Sequence, residues 1–574
     1  MKNIEIARIF YEIADILEMQ NVQWKPQAYR KAARSIEALS EDIEDIYRKG
    51  GIKALEEIPG VGEKLANKIE EYIKTGKIHE YDRLKKTVPE HIDRLMKIPG
   101  IGPKTAQYLF EELGVHDIKT LLKAVKQHKV AGLKGMGIKS EEDMLRGIML
   151  LKQSKERMLL GLALPIVNEI VGSLKKLKEI DKISAAGSVR RMKETIRDLD
   201  ILVTSNNPAK VMDYFTNMKG VTTVLSKGPT RSSIVMGGGL QVDVRVVNDD
   251  CFGSALQYFT GSKEHNIKLR QIAIKKGCKL SEYGLFDKKT GERLAGNTEE
   301  EVYKKLGMQY IEPEMRENMG EIEAAIKSQL PKLIGYNDVN GDLHVHSNHT
   351  DGAHTIQQMA EYAKKMGYKY IAITDHSFGE RIAHGLSADE LLKEIKEIRK
   401  VSSKLKGIEI LAGSEINIDK NGDLDYTDDV LKKLDVVIAA VHSGFKSSKE
   451  VMTKRILKGL DNKYVNIFAH PLGRKIGLRE PYAVDVDKLF KVCKENKIAL
   501  EINSFPERLD LPDTLVKQAV EKGIKLSLGT DAHAMKHLEL MNLGIAVARR
   551  GWATKKDIIN TYSLDELKKF LKRT

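Results

Sequence analysis

Three rhythms of apolar and polar residues divide this chain. Over residues 1–150, Ile, Leu and Ala recur at helical spacing among Glu and Lys, with glycine-containing turns between the runs, so short helices are expected. Within that region Ile58-Pro-Gly60-Val-Gly62-Glu-Lys64 recurs forty residues later as Ile98-Pro-Gly100-Ile-Gly102-Pro-Lys104, and a weaker third copy runs Leu133-Lys-Gly135-Met-Gly137. Residues 180–250 alternate in strand fashion, in Ile183-Ser-Ala-Ala, Leu199-Asp-Ile-Leu-Val and Leu240-Gln-Val-Asp-Val-Arg-Val-Val. Residues 251–315 are mixed, and a charged, helical-looking stretch around 313–335 follows. From residue 341 strand-like and helix-like segments alternate, with strand candidates beginning at Asp342, Tyr370, Ile408, Val436, Val465, Ile498 and Lys525. Parallel βα units of this kind close into a barrel, and seven strands instead of eight predict a distorted one.

At 574 residues the chain should hold several domains, because single cores rarely exceed about 250–300 residues. The net charge of +14 is uneven: residues 1–300 carry 51 Lys+Arg against 41 Asp+Glu, the rest 44 against 40. That pattern suits a polyanion held by the front half. Cys251, Cys278 and Cys493 show no paired spacing, so free thiols in a reducing compartment are expected. With no apolar run of about 18 residues and no cleavable leader pattern, the expectation is a cytoplasmic protein with no membrane partner.

The densest chemistry lies in the last part, where ten of the fifteen histidines follow residue 340. His344, His346, Asp351, His376, Glu415, His442, His470, Asp531 and His533 sit mostly at the ends of strand candidates, the face where barrel active sites collect. Six imidazoles and three carboxylates suit Zn²⁺ or Mn²⁺ in a hydrolytic site. In the front half, Ala186-Gly187-Ser188-Val-Arg190-Arg191 precedes Arg197-Asp198-Leu-Asp200, and Asp243 lies in a later strand. Alternate strand residues share a face, so these carboxylates can converge on two Mg²⁺ ions about 3.5–4 Å apart. Gly187, Ser188 and Arg191 would offer a turn, a hydroxyl and a charge to triphosphate oxygens. A Gly-x-Gly turn opening a helix leaves backbone N–H groups free for a phosphate; one copy is only a turn, but two near-copies are more specific. They resemble helix-hairpin-helix motifs, which grip one DNA backbone.

With Tyr258-Phe-Thr-Gly261 through Asn266 to Arg270, the front half closely resembles family X DNA polymerases, and the terminal ligand set resembles the PHP (polymerase and histidinol phosphatase) domain. The resemblance covers nearly the whole chain. It implies a multidomain protein: an N-terminal helical 5′-phosphate/lyase-like domain over 1–80, a second helix-hairpin-helix domain over 81–150, an α+β nucleotidyltransferase palm over 151–249, a nucleotide-selecting thumb over 250–316, a linker over 317–340 and a distorted (β/α)7 PHP nuclease barrel over 341–574. It further implies that Asp198 and Asp200 bind both Mg²⁺ ions and Asp243 the one that activates the primer 3′-OH. Tyr258, Phe259 and Gly261 would lie under the sugar of a dNTP, while Asn266 and Arg270 reach the base and the template. Gly60, Gly62, Lys64, Gly100, Gly102, Lys104 and Tyr29 would contact DNA.

In the barrel the resemblance implies three ions: one on His344, His346, Glu415 and Asp531, one on Glu415, His442 and His470, and one on Asp351, His376 and His533. Lys68 falls on the family's Schiff-base lysine, but Trp24 and Glu80 replace basic neighbours, so lyase chemistry and a plain phosphate contact both stay open. Gln241 stands where some relatives carry Arg, which removes a fixed charge beside Asp243. The implied protein is a monomeric repair polymerase acting on gapped or primer-template DNA, fused to a 3′→5′ exonuclease. The alternative is a barrel that hydrolyses small phosphate esters or serves as an inert scaffold.

Overall fold

A computed structural model describes residues 2–572 except 21, 38, 40, 41, 89–91, 97, 99, 100 and 238. The expected turn glycine Gly100 therefore lies outside the described residues. The first helical group includes Lys2–Met19, Lys25–Glu37, Ile43–Glu56 and Glu63–Thr75 around Phe10, Ile13, Ile36, Leu55 and Ile69. The second places Pro103–Leu113, Ile118–Lys126 and Ile138–Glu156 around Ile98, Leu109, Leu121 and Val125. The sequence repeat is a structural one. Gly62 and Gly102 are both N-caps, at φ −87°, ψ 174° and φ −84°, ψ 174°, and neither helix has a side-chain cap. Ile58 and Val61 are buried at the same places as Ile98 and Ile101. Lys64 and Lys104 stand exposed in the uncapped first turns, where free N–H groups favour an anion.

The next region is a five-stranded sheet of β1 (Ile180–Ala185), β2 (Asp198–Ser205), β3 (Val221–Lys227), β4 (Arg231–Met236) and β5 (Gln241–Val247), in the order β1-β2-β5-β4-β3. Only β2 and β5 run parallel. Leu199, Ile201, Val203, Val242 and Val244 pack on one face against helix Leu160–Leu174 and Phe215. The period-2 pattern thereby commits Asp198, Asp200, Gln241, Asp243 and Arg245 to the opposite face. Of the five strands, β3 and β4 were not marked by the sequence pattern. Residues 252–305 add helices Phe252–Thr260, Lys263–Lys275 and Glu299–Lys305 and a small antiparallel sheet.

The barrel strands β6 (Gly341–Val345), β7 (Tyr370–Ile373), β8 (Glu409–Asn417), β9 (Val436–Ala440), β10 (Ile467–Phe468), β11 (Ala499–Asn503) and β12 (Leu526–Gly529) are parallel in chain order. Every strand residue is buried except Glu409, as expected when helices cover the outer face. A bridge between Val345 and Ala532 closes the ring. The five-stranded sheet and the barrel share one apolar cluster. At their seam a Cβ on Gly161 would lie 2.6 Å from Pro506, and Arg550 donates to the Arg191 carbonyl at 2.7 Å. No described helix is long and apolar enough to cross a membrane.

Arg316, fully buried, pairs with Glu299 at 2.5 Å, and Glu299 also takes two bonds from Arg190, at 2.9 and 2.6 Å. Burial opposes the charge on Glu299, but the two guanidiniums hold it down at about 2. Its contribution is complete above the ordinary glutamate range and is lost as pH falls toward 2. Glu299→Gln should therefore cost about 3–5 kcal/mol at neutral pH, because it strands a buried guanidinium. Denaturant titration at pH 7 checks this; a cost below about 1 kcal/mol would mean that Arg316 finds another partner.

Candidate active sites

In the sheet site, β2 and β5 run in register with Asp198 opposite Gln241 and Asp200 opposite Asp243. Burial and the charges of Asp198 and Asp243 raise Asp200 to about 6. Three carboxylates that resist sharing one face are a donor set for divalent cations. Burial also opposes the charge of Asp243, yet bonds from Arg231, Gln241 and Ser233 keep it below the usual range. Arg231 donates to one oxygen at 2.8 Å and Gln241 to the other at 3.1 Å. Gly187, at φ +65°, begins the turn beneath Asp200, where a Cβ would stand 3.0 Å from a carboxylate oxygen. Here only glycine combines the left-handed backbone with the close approach.

Gly187, Ser188, Arg191, Asp198, Asp200, Tyr258, Phe259, Gly261, Asn266 and Arg270 line one open cleft of about 620 Å³. Asp243 does not line it. Tyr258 and Phe259 meet edge to face at 5.2 Å, and Arg245 lies over Phe259 at 4.7 Å. Two expected substrate contacts are occupied within the protein. Asn266 is buried, donating to the Tyr258 carbonyl and accepting from Gln257, both at 2.7 Å, so it props the Tyr258-Phe259 turn. Arg191 donates to Glu317 at 2.9 Å and to the Thr260 carbonyl. Neighbouring Arg190, Glu299 and Glu317 were missed because their partners are more than a hundred residues away in sequence.

In the barrel all nine expected ligands meet at one end. Glu415 is central. One of its oxygens lies 3.0 Å from His376, 3.4 Å from His344 and 3.6 Å from His346. The other lies 2.8 Å from His470 and 3.1 Å from His442. Asp531 approaches His346 at 3.3 Å, and Asp351 approaches His533 at 3.3 Å and His376 at 3.7 Å. Such separations fit donor atoms arranged around shared ions about 2.0–2.2 Å away. Three donor groups emerge: His344, His346 and Asp531; His346, Asp351, His376 and His533; and His376, Glu415 and His442. His346 and His376 thus each fall in two groups, a sharing that the ion-by-ion expectation did not contain. Buried ring nitrogens of His344, His346, His376, His442 and His470 have no hydrogen-bond partner, nor has one oxygen of Asp351. Orphaned donors of this kind fit divalent metal ions.

Residues outside the nine hold them in place. Glu501 accepts from the His344 ring at 2.6 Å and from the His470 backbone at 2.7 Å. Arg508 lies 3.3 Å from Asp531. Such partners fix ring orientation and ligand basicity. Arg34, from the first helical group, reaches Asp351 at 3.1 Å. Arg474, in the loop after His470, binds Glu194 of the sheet region at 2.7 Å and the Leu509 carbonyl.

In the N-terminal group Tyr29 is buried against Phe10, and its hydroxyl donates to Glu80 at 2.9 Å, so its ring serves the core. Lys68 also pairs with Glu80, at 2.7 Å. The Glu80 that replaced a basic neighbour is the group that holds this amine.

The chain matches four known families: a helix-hairpin-helix domain over residues 1–78, a SAM-like helix-hairpin-helix tandem over 92–148, the DNA polymerase beta thumb over 255–317 and the PHP domain over 342–505. It is 40% identical, across 100% of both chains, to the DNA polymerase/3′-5′ exonuclease PolX of Bacillus subtilis (strain 168). DNA polymerase lambda of Rattus norvegicus is 26% identical, covering 55% of this chain and 56% of its own length. A probable phosphatase of Thermoanaerobacter sp. (strain X514) is 33% identical over 40% of this chain and 94% of its own.

The shared donors give a graded expectation for metal removal. His344→Ala touches one donor group, whereas His346→Ala strips a donor from two. Bound divalent metal, counted by elemental mass spectrometry, should fall by about one ion per chain for His344→Ala and by more for His346→Ala. Equal losses would mean that the two rings serve one ion.

Proposed function

The chain belongs to the family X DNA polymerases that carry a PHP domain, and from that premise we propose that it fills gaps in DNA from dNTPs and removes nucleotides 3′→5′ at a second site. What supports this most directly is the pair of separate donor clusters. One is all carboxylate, beside a cleft of nucleotide size; the other is rich in imidazole, at the mouth of a barrel. Hard oxygen donors suit Mg²⁺, and mixed imidazole-carboxylate donors suit Mn²⁺ or Zn²⁺. Divalent ions at such clusters lower the pKa of a hydroxyl or water and offset phosphate charge.

The chain's own residues would do the rest. Asp198, Asp200 and Asp243 would present a fixed, preorganised negative face to the ions, so no reorganisation accompanies transfer. Ser188 and the backbone of the Gly187 turn would hold the triphosphate. Arg191 would act first on the Tyr258-to-Gly261 turn, through the Thr260 carbonyl, and so shape the sugar pocket. Gly62, Lys64, Gly102 and Lys104 would hold the DNA backbone with free N–H groups and charge, on either side of the gap. In the barrel, Glu415 would join two ligand groups through its two oxygens, and Glu501 would orient His344. For Lys68 the 2.7 Å contact with Glu80 favours a phosphate-binding amine over a lyase nucleophile, since the carboxylate already occupies the amine. A small-ester phosphatase remains the second reading of the barrel, motivated by the phosphatase relative that covers it.

Two activities on separate sites predict a double dissociation. On one gapped duplex with a frayed primer, Asp243→Asn should lower nucleotide incorporation by more than about 100-fold and leave primer degradation intact. The His344→Ala/His346→Ala variant should do the reverse. Loss of both activities in either folded variant would contradict separate sites, and hydrolysis of a small ester without primer degradation would favour the phosphatase. Affinity for the gapped duplex should fall steeply between low and moderate salt, as backbone contacts release counterions. A flat salt response would remove DNA as the main partner.

A further inference from the structure

The sheet site contains a cation that the sequence pattern did not point to. Gln241 occupies the place where an arginine would stand beside Asp243, which leaves that carboxylate without a charged partner on its own strand. The structure fills the gap from the next strand. β4 and β5 pair antiparallel with Ser233 opposite Asp243 and Arg231 opposite Arg245, so Arg231 is the diagonal neighbour of Asp243 on the same face. A long side chain spans that diagonal. The Arg231 guanidinium reaches one Asp243 oxygen at 2.8 Å while the Gln241 amide reaches the other at 3.1 Å. Arg245, directly across from Arg231, is committed to the Phe259 ring at 4.7 Å.

Resting on the polymerase reading of this site, we infer that Arg231 is the positioning residue of the third carboxylate: it fixes the plane of Asp243 and supplies the fixed charge that Gln241 lacks. Arg231 on one oxygen and Gln241 on the other, with Ser233 as a further donor, stop the carboxylate from rotating about its χ2 axis, a torsion that is otherwise broad. The carboxylate so held stands on the face it shares with Asp198 and Asp200. The contact is charge-assisted and therefore stronger than an amide could provide alone. The Asp243 side chain is only 11% exposed, whereas that of Arg231 is 52% exposed. The guanidinium is thus anchored at the buried acid and open on the side from which an anionic DNA strand would approach.

The test uses the full-length protein on a primer-template, with Arg231→Ala, Arg231→Lys and Arg231→Ala/Gln241→Arg. Loss of one charge-assisted bond predicts that Arg231→Ala lowers kcat for incorporation by about tenfold or more, with KM for the dNTP nearly unchanged. Half-saturating Mg²⁺ should not rise, because the lost guanidinium competes with the ion for Asp243 and its removal offsets the lost alignment; loss of a true metal ligand would raise it. Arg231→Lys and the double variant should each regain part of the lost rate, since each returns a cation beside Asp243. A purely structural arginine on β4 would not be rescued from β5. Primer degradation by the barrel serves as the folding control. The inference is overturned if kcat stays within about twofold of wild type, or if it falls with no rescue by either cation. A wild type that incorporates nothing while degrading primer would instead reject the polymerase reading, and this inference with it.

Discussion

A carboxylate taken out of water keeps its charge only when a cation or several hydrogen-bond donors stand beside it, and both sites of this protein are built around that constraint. Where the protein supplies the partner itself, the acid is settled: Glu299 sits between Arg190 and Arg316 and stays ionised down to about 2. Where the protein withholds one, the charge is left uncompensated. Asp200, beside Asp198 and Asp243, is pushed up to about 6. Such a group gains most from a divalent ion, so the sheet site stores its affinity for metal as unrelieved repulsion. Arg231 tempers that repulsion by direct contact at Asp243, the acid that does not line the cleft, and only through space at Asp200.

The barrel meets the same constraint with imidazole. Glu415 is buried, and its charge is opposed by burial but favoured by His376, His442 and His344, which hold it far below the ordinary range. His376 is correspondingly raised to about 9, while His346, buried among His533 and His376, is lowered to about 4. Protons are thus shared unevenly among these rings and acids, on donors that a divalent ion could occupy instead. Glu501 shows how the shell answers: it binds the far side of His344 and the His470 backbone and so orients two ligands at once. Because the sheet region and the barrel share an apolar core and the Arg550 and Arg474 contacts, the two chemistries are held on one packed body.

The barrel was legible because six of its seven strands are short apolar runs with a ligand at or just after the C-terminal end, so hydrophobicity and chemistry marked the same places. All seven strand candidates and the convergence of all nine ligands follow from that coincidence. The sheet site was read less completely for a physical reason. Strand β2 begins with the alternating Asp198-Leu-Asp200-Ile, where its chemistry lies, but β4 reads Arg-Ser-Ser-Ile-Val-Met, with two small polar residues on successive faces and no period-2 signal. Asn266 and Tyr29 were read as reaching outward because their residue types suit a base or a phosphate. Both side chains turn inward, Asn266 to the Tyr258 carbonyl and Tyr29 to Glu80, which lies 51 residues on and so is not marked by the local sequence. The Lys68-Glu80 pair was half visible: the substitution was noticeable in the sequence, but only the fold shows that the new acid meets the lysine.

Long-range charge pairs are what a linear reading loses, and here they decide how the polymerase cleft is shaped. Arg190 and Arg191 are adjacent in the turn that follows β1, yet they diverge. Arg190 runs to Glu299 and Thr260, and Arg191 to Glu317 and the Thr260 carbonyl. Both therefore grip the Tyr258-to-Gly261 turn from the side of the Gly187 turn. The Gly187 turn and the Tyr258-to-Gly261 turn are thereby tied through two guanidiniums whose counter-charges are Glu299 and Glu317. Glu317 in turn takes Arg550 from the barrel at 3.1 Å. A rotation of residues 252–317 about the sheet would have to break or carry this chain of pairs, so the geometry of the cleft beside Asp198 and Asp200 is coupled to the seam with the barrel and is not set by the sheet alone.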